Sequence, residues 1–180
     1  MKNFFLALAL SMLNVGLCLG QQIKYDIRPD ITIRGTKYAK LFKKTNETEE
    51  CNDQKSGSVI DKNKLSSCFR LVKTISSTDS RKIVGILRSK GTYGFLKYDC
   101  FSTDYAIVLF SKSDAVIGYV NFSFTCGNLY SNPVIDEQKS LSPKNYSLVG
   151  FSKNGKSQLL KILRLSKLNL NKDSNSNLTQ

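Results

Sequence analysis

The sequence predicts an all-β domain with a helix near its C-terminus, and three observations carry that expectation. Short segments rich in Val, Ile, Tyr and Phe alternate with Ser-, Lys-, Gly- and Asp-containing breaks, the punctuation of antiparallel strands. The leader MKNFFLALALSMLNVGLCLG has a lysine, a short apolar core and small residues ending at Gly20, which reads as a secretory signal peptide over residues 1–20. Cys51, Cys68, Cys100 and Cys126 remain after it, an even set that suits disulfides in an oxidising compartment. The expected product is secreted and extracellular, with one domain over residues 21–170 and no membrane-inserted segment. A lipoprotein anchor would need Cys18 as the lipidated residue, and Leu17 before it is a poor fit.

The elements follow in order. ITIRGTKYAKLFK (31–43) and SSCFRLVKTI (66–75) open the series as strands, with polar loops at 44–50 and 76–81. IVGILRS (83–89), TYGFLKYDCF (92–101), YAIVLFS (105–111) and AVIGYVNFSFTC (115–126) continue it as a meander. In the last of these, Val116, Gly118, Val120, Phe122, Phe124 and Cys126 fall on one face and Asn121, Ser123 and Thr125 on the other. Period two therefore puts the first set inside and turns Asn121 outward. The strand from Tyr105 to Phe110 is apolar on both faces and needs a cover, for which a helix is the natural choice.

SPKNYSLVGFSKNG supplies one: Ser142 as N-cap, Pro143 at the first helical position, Asn154-Gly155 closing the end, and Tyr146, Leu148 and Val149 on the apolar side. QLLKILRLSKL after it is either a ninth strand or a basic amphipathic helix. Residues 171–180, NKDSNSNLTQ, are a polar tail with nothing to bury, expected to be disordered.

Composition narrows the function. There is no histidine, which removes Ser-His-Asp and Cys-His catalysis and His-ligated zinc or haem. A four-cysteine zinc site is disfavoured by cysteine gaps of 17, 32 and 26 residues, too long for knuckle-type ligand pairs. The acidic residues are isolated, or clustered as Glu47, Glu49 and Glu50 beside a sequon, so a carboxylate pair in a cleft is not indicated. Binding without a catalytic step or a cofactor is the expected class. The four cysteines allow three pairings. Sequons stand at Asn46, Asn121, Asn145 and Asn177 and fit an exported glycoprotein. The formal net charge of +13 becomes +12 once Lys2 leaves with the leader, an excess that draws the molecule to anionic partners. An extracellular location argues against nucleic acid as that partner.

Thr103-Asp104-Tyr105, at the turn before an apolar strand of a secreted chain with a late helix, resembles the lipocalins. In that family a Thr-Asp-Tyr motif joins the sixth and seventh strands and closes one end of the barrel. The family's Gly-x-Trp followed by Tyr is matched by Gly35-Thr36-Lys37-Tyr38, with Lys in place of Trp. The family's Arg beyond the last barrel strand has no counterpart in the segment from Cys126 to Pro133. The two losses are consistent, because that Arg packs on the indole ring.

The resemblance spans about residues 31–155. It implies an eight-stranded antiparallel up-and-down barrel with a C-terminal helix, and the short interval from Gly35 to Thr103 implies an abbreviated early strand. It further implies a carrier of a small hydrophobic ligand, neutral or anionic, held in the barrel interior. The implied lining is Tyr38, Phe69, Leu71, Tyr93, Phe95, Tyr98, Val120, Phe122 and Phe124, each of which also suits plain core packing.

Three other readings use the same residues. A secreted protein-binding module or inhibitor would act through loops and basic surface on an acidic protein, without a small ligand. The run Lys156, Lys161, Arg164 and Lys167 on an apolar background suits a membrane surface or sulfated glycan, or equally a segment packed on the domain with its lysine stems laid flat. An immunoglobulin-like sandwich of lipid-recognition type would also accommodate four cysteines and short strands.

Overall fold

The computed structural model describes residues 33–45, 51, 57–95, 102–144 and 149–165. They form a mostly β structure built on a five-stranded antiparallel sheet, with a helix near the C-terminus. The strands are β1 (Tyr38–Lys44), β4 (Phe69–Ile75), β6 (Tyr105–Phe110), β7 (Val116–Phe122) and β8 (Leu129–Asn132). Their order in space is β4-β1-β6-β7-β8. Of the predicted meander, β6 and β7 are neighbours in this sheet; Tyr93–Phe95, the described part of the strand expected over 92–101, is not among its strands, and β8, which was not predicted, lies beyond β7. The expected barrel does not hold: among the described residues β4 and β8 are the two edges and the sheet is open.

The sheet is sandwiched rather than closed. β6 is buried from Ala106 to Phe110 and β7 along its whole length, so both faces are dry and strict alternation disappears. On one face Leu41, Ile107, Leu109, Val120 and Phe122 meet α1 (Ser77–Leu87) and α3 (Lys153–Leu163) through Ile83, Leu87, Leu159 and Leu163. On the other face Phe42, Phe69, Val108, Phe110 and Tyr119 meet Val59, Ile60 and the Cys51–Cys68 disulfide. Burial of each Leu or Ile in these layers contributes about 1.5–3 kcal/mol.

Residues 59 and 60 belong to a small hairpin, β2 (Ile60–Asp61) and β3 (Lys64–Leu65), joined by Lys62 and Asn63 at φ 45° and 61°. Two consecutive left-handed residues give the turn a twist that matches a tight hairpin. A second ribbon pairs β5 (Tyr93–Phe95) with β9 (Val149–Phe151). A one-turn helix, α2 (Asp136–Lys139), lies between β8 and β9.

Two predicted elements and the orientation of one residue are corrected. IVGILRS (83–89) lies largely in α1 rather than in a strand. Ser76 caps that helix, its hydroxyl accepting from the Asp79 amide at 3.1 Å, and Ser80, Ile83 and Leu87 recur at helical spacing and are buried. Burial of that stripe outweighs the β preference of Ile and Val. The helix expected over 142–155 is displaced: Val149–Phe151 is strand β9, and α3 begins after Ser152. Asn154 and Gly155 therefore lie in its first turn rather than at its end, and QLLKILRLSKL supplies its body. Finally, Asn121 points inward. It is 3% exposed, accepts the Val59 amide at 3.0 Å and donates to Ser58 Oγ at 3.3 Å. It clamps the hairpin to β7, and no glycan can project from that amide in the folded chain.

Candidate functional site

α3 brings four cations to one face of a helix. Ser152 starts the helix: its Oγ accepts the Gly155 amide at 3.0 Å and donates to the Gly91 carbonyl at 2.7 Å. The inward stripe is Gly155, Leu159 and Leu163, four residues apart. Lys153, Lys156, Ser157, Leu160, Lys161 and Arg164 recur at offsets of three and four and line a groove of about 470 Å³. That volume falls within the range of ligand sites, whose usual span is about 300–1,000 Å³.

The groove is cationic on an apolar floor. Leu160 packs against the core beneath it. The Lys156 ammonium is held in place, donating to the Phe124 carbonyl at 2.5 Å. Arg164 caps the helix in the left-handed region at φ 52°. Lys73 of β4 reaches the same end and donates to the Leu163 carbonyl at 2.6 Å, a cation at the negative pole of the helix. Among the described residues no carboxylate lies within ion-pair distance of Lys153, Lys161 or Arg164.

The residues assigned to a barrel interior do not converge. Val120, Phe122 and Phe124 are buried on the helix side, with Phe122 and Phe124 edge-on at 4.9 Å and Phe124 stacked on Phe151 at 6.1 Å. Tyr93 joins them, its hydroxyl donating to the Leu87 carbonyl. Phe69 is buried on the opposite, hairpin side. Tyr38 is half-buried there and stacks on Phe110 at 4.8 Å. Leu71 and Phe95 are 54% and 69% exposed, and Tyr98 lies outside the described residues. The sheet runs between the two sets, so no single cavity is common to them.

Thr103-Asp104-Tyr105 does lead into a central strand, but its aspartate works differently from the expected turn closure. The Asp104 carboxylate accepts from Ser123 Oγ at 2.5 Å. Its backbone amide donates to the Phe122 carbonyl at 3.0 Å and its carbonyl accepts from the Lys44 amide at 2.9 Å. The residue thus ties the ends of β1 and β7 to β6. Tyr105, next to it, keeps its proton above the usual phenol range because it is buried and lies beside Asp104. In the Gly35–Tyr38 segment, the Lys37 amide donates to the Phe110 carbonyl at 2.7 Å.

Of the cysteines, Cys51 pairs with Cys68 across 17 residues, and Cys126 is also disulfide-bonded. Cys100 lies outside the described residues, as do the sequons at Asn46, Asn145 and Asn177 and the basic residue Lys167. Among the described residues no cluster of His, Cys, Asp and Glu could hold a metal ion, and no helix is long and apolar enough to cross a membrane. Lys153, Ser157 and Leu160 were not singled out in the sequence. Their helical spacing from Lys156 and Lys161 was the available signal, masked by reading 142–155 as the helix. Comparison with protein-family models, curated proteins and solved structures gave no match, so the lipocalin resemblance stands on its residue motifs alone.

Proposed function

We propose that the chain is an exported, non-catalytic binding protein that engages an acidic protein surface through the basic face of α3. The observation that carries this reading is the α3 groove, four cations around one apolar residue with no carboxylate among its lining. Opposite charge across such a rim steers association and selects against basic partners. The net charge of the chain adds to the attraction at long range.

The lipocalin-like carrier is the second reading, resting on Thr103-Asp104-Tyr105 and on the aromatic core. It requires a ligand cavity within the sheet's interior, and the aromatics facing the helices are already packed on one another. The surface reading is therefore preferred.

Fluorescence anisotropy with labelled poly-L-glutamate tests it. The wild type is expected to bind at low salt and to weaken steeply as NaCl rises toward 0.15 M, where screening acts within about 8 Å. Lys153→Glu combined with Lys161→Glu should weaken binding at least about ten-fold, the loss expected from removing two rim charges, with an unchanged melting temperature. Equal binding by the double variant would overturn the α3 site. Thermal stabilisation by palmitate or another fatty acid, with no affinity for poly-glutamate, would favour the carrier.

A further inference from the structure

We infer that the α3 face takes an amphipathic acidic helix of the partner, which seats one row of its side chains between two rows of α3. The inference rests on the reading above and deepens it, naming the conformation and residue spacing of the acidic segment. Lys153, Ser157 and Lys161 stand four residues apart, as do Lys156, Leu160 and, at the cap, Arg164. These six line the groove, which therefore runs along two neighbouring rows of four-residue spacing. Such rows interdigitate in the commonest class of helix–helix packing. Each row has a cation at either end and an uncharged residue at its centre, Ser157 exposed and Leu160 half-buried.

The charge pattern sets what fits. Lys153 and Lys156 form one cationic end, and Lys161 and Arg164 form the other, eight residues on, a separation of about 12 Å at the helical rise. A partner helix with Asp or Glu at i and i+8 and an apolar residue at i+4 repeats that spacing. It brings a carboxylate to each end and lays the apolar side chain over Leu160. An extended segment with acidic residues at i and i+4 spans nearly the same distance. It arrives with backbone donors and acceptors that α3, bonded along its own length, cannot pair, whereas a helix has already satisfied its own. The seat is also rigid. Ser152 fixes the start of α3 on the Gly91 carbonyl, Lys73 fixes its end on the Leu163 carbonyl, and Lys156 is held by the Phe124 carbonyl. Little ordering is left for binding to supply. α3 itself contains no acidic residue, so a second copy of the same face is repelled.

The test uses the protein of the poly-glutamate titration and three labelled peptides of equal length and charge. The first is alanine-rich, with glutamate, leucine and glutamate at i, i+4 and i+8. The second has the same composition with its glutamates on opposite helix faces. The third carries glutamate, leucine and glutamate at i, i+2 and i+4 among prolines, which hold it extended. The first is expected to bind at least roughly ten-fold more tightly than either of the others, a preference that needs charge and spacing together, and to gain helicity by circular dichroism on binding. Lys153→Glu with Lys161→Glu should abolish the preference. Ser157→Trp, which fills the centre of the groove and leaves its charge unchanged, should abolish it while poly-glutamate still binds. Equal binding of the second or third peptide overturns the inference; poly-glutamate binding that still depends on Lys153 and Lys161 then leaves the α3 site standing. No binding of any peptide or of poly-glutamate sinks both. A preference for the first peptide that persists in the lysine double variant overturns the inference by placing the contact elsewhere. Binding to phosphatidylserine vesicles without preference among the peptides overturns it in favour of a lipid surface.

Discussion

Gly155 sets how closely α3 can approach the rest of the chain. A Cβ built there would lie 2.3 Å from the Thr92 carbonyl oxygen and 2.7 Å from Thr92 Cα, and both are backbone atoms that cannot swing aside. Thr92 is itself fixed, its hydroxyl donating to the Ile86 carbonyl at 2.5 Å. Gly155→Ala should therefore lift the helix off the 3-10 turn at Lys90–Thr92 and cost about 3 kcal/mol or more, the upper end of overpacking. Gly85, in the last turn of α1, has nothing within 4 Å of a built Cβ. Gly85→Ala should raise stability by about 0.5–1 kcal/mol, the helix-interior difference between the two residues. Urea unfolding of the two variants side by side checks both signs. An Ala at 155 as stable as wild type would show that the helix does not need this approach. Neither role is visible in the sequence, which placed Gly85 in a strand and Gly155 at the end of a helix.

Among the elements, the hairpin side is held by the disulfide and by Asn121. Cys51 and Cys68 enclose a 17-residue separation, and closing such a loop removes about 3 kcal/mol of unfolded-chain entropy. Cys51→Ala with Cys68→Ala is expected to lower unfolding free energy by about that amount, with β6 and β7 the strands whose amide exchange accelerates most on the exposed face. A loss below about 1 kcal/mol would mean that packing of Val59 and Phe69 alone holds the hairpin. Element legibility followed the same physics. β4, β6 and β7 were readable because their runs are rich in Phe, Val and Ile between polar breaks. α1 was read as a strand because Ile83, Val84 and Ile86 favour β structure locally, while the Ser76 cap and the buried stripe from Ser80 to Leu87 favour a helix through contacts made elsewhere in the chain. The hairpin at 60–65 was missed because its Lys62-Asn63 turn lacks the glycine that usually marks one.

At the scale of the whole molecule, three tyrosines link stability to alkaline pH. Burial raises the phenolic pKa of Tyr38, Tyr93 and Tyr105 above the usual 10.0, and Asp114, Glu137 and Asp104 beside them add to the rise. In the unfolded chain each loses its proton near pH 10. Above that pH the native state holds more protons than the unfolded state, so unfolding free energy falls as pH rises. Denaturation midpoints should show no tyrosine-linked slope below about pH 9 and a decline above about pH 10. Tyr93→Phe has no proton to lose at its site and should flatten part of that decline; an unaltered slope would refute the assignment to Tyr93.

By itself the sequence determined the local chemistry: cysteines suited to an oxidising compartment, the absence of imidazole, the excess of positive charge and the central apolar strands. Tertiary structure decided which strands are neighbours, that the sheet among the described residues has two edges, and that Asn121 faces inward. It also gathered Lys153, Lys156, Lys161 and Arg164 on one face of a helix. Strand order depends on contacts between residues far apart in the chain, such as Lys40 with Val108 and Thr74. Hydrophobic patterning reports whether a strand is covered, not which element covers it.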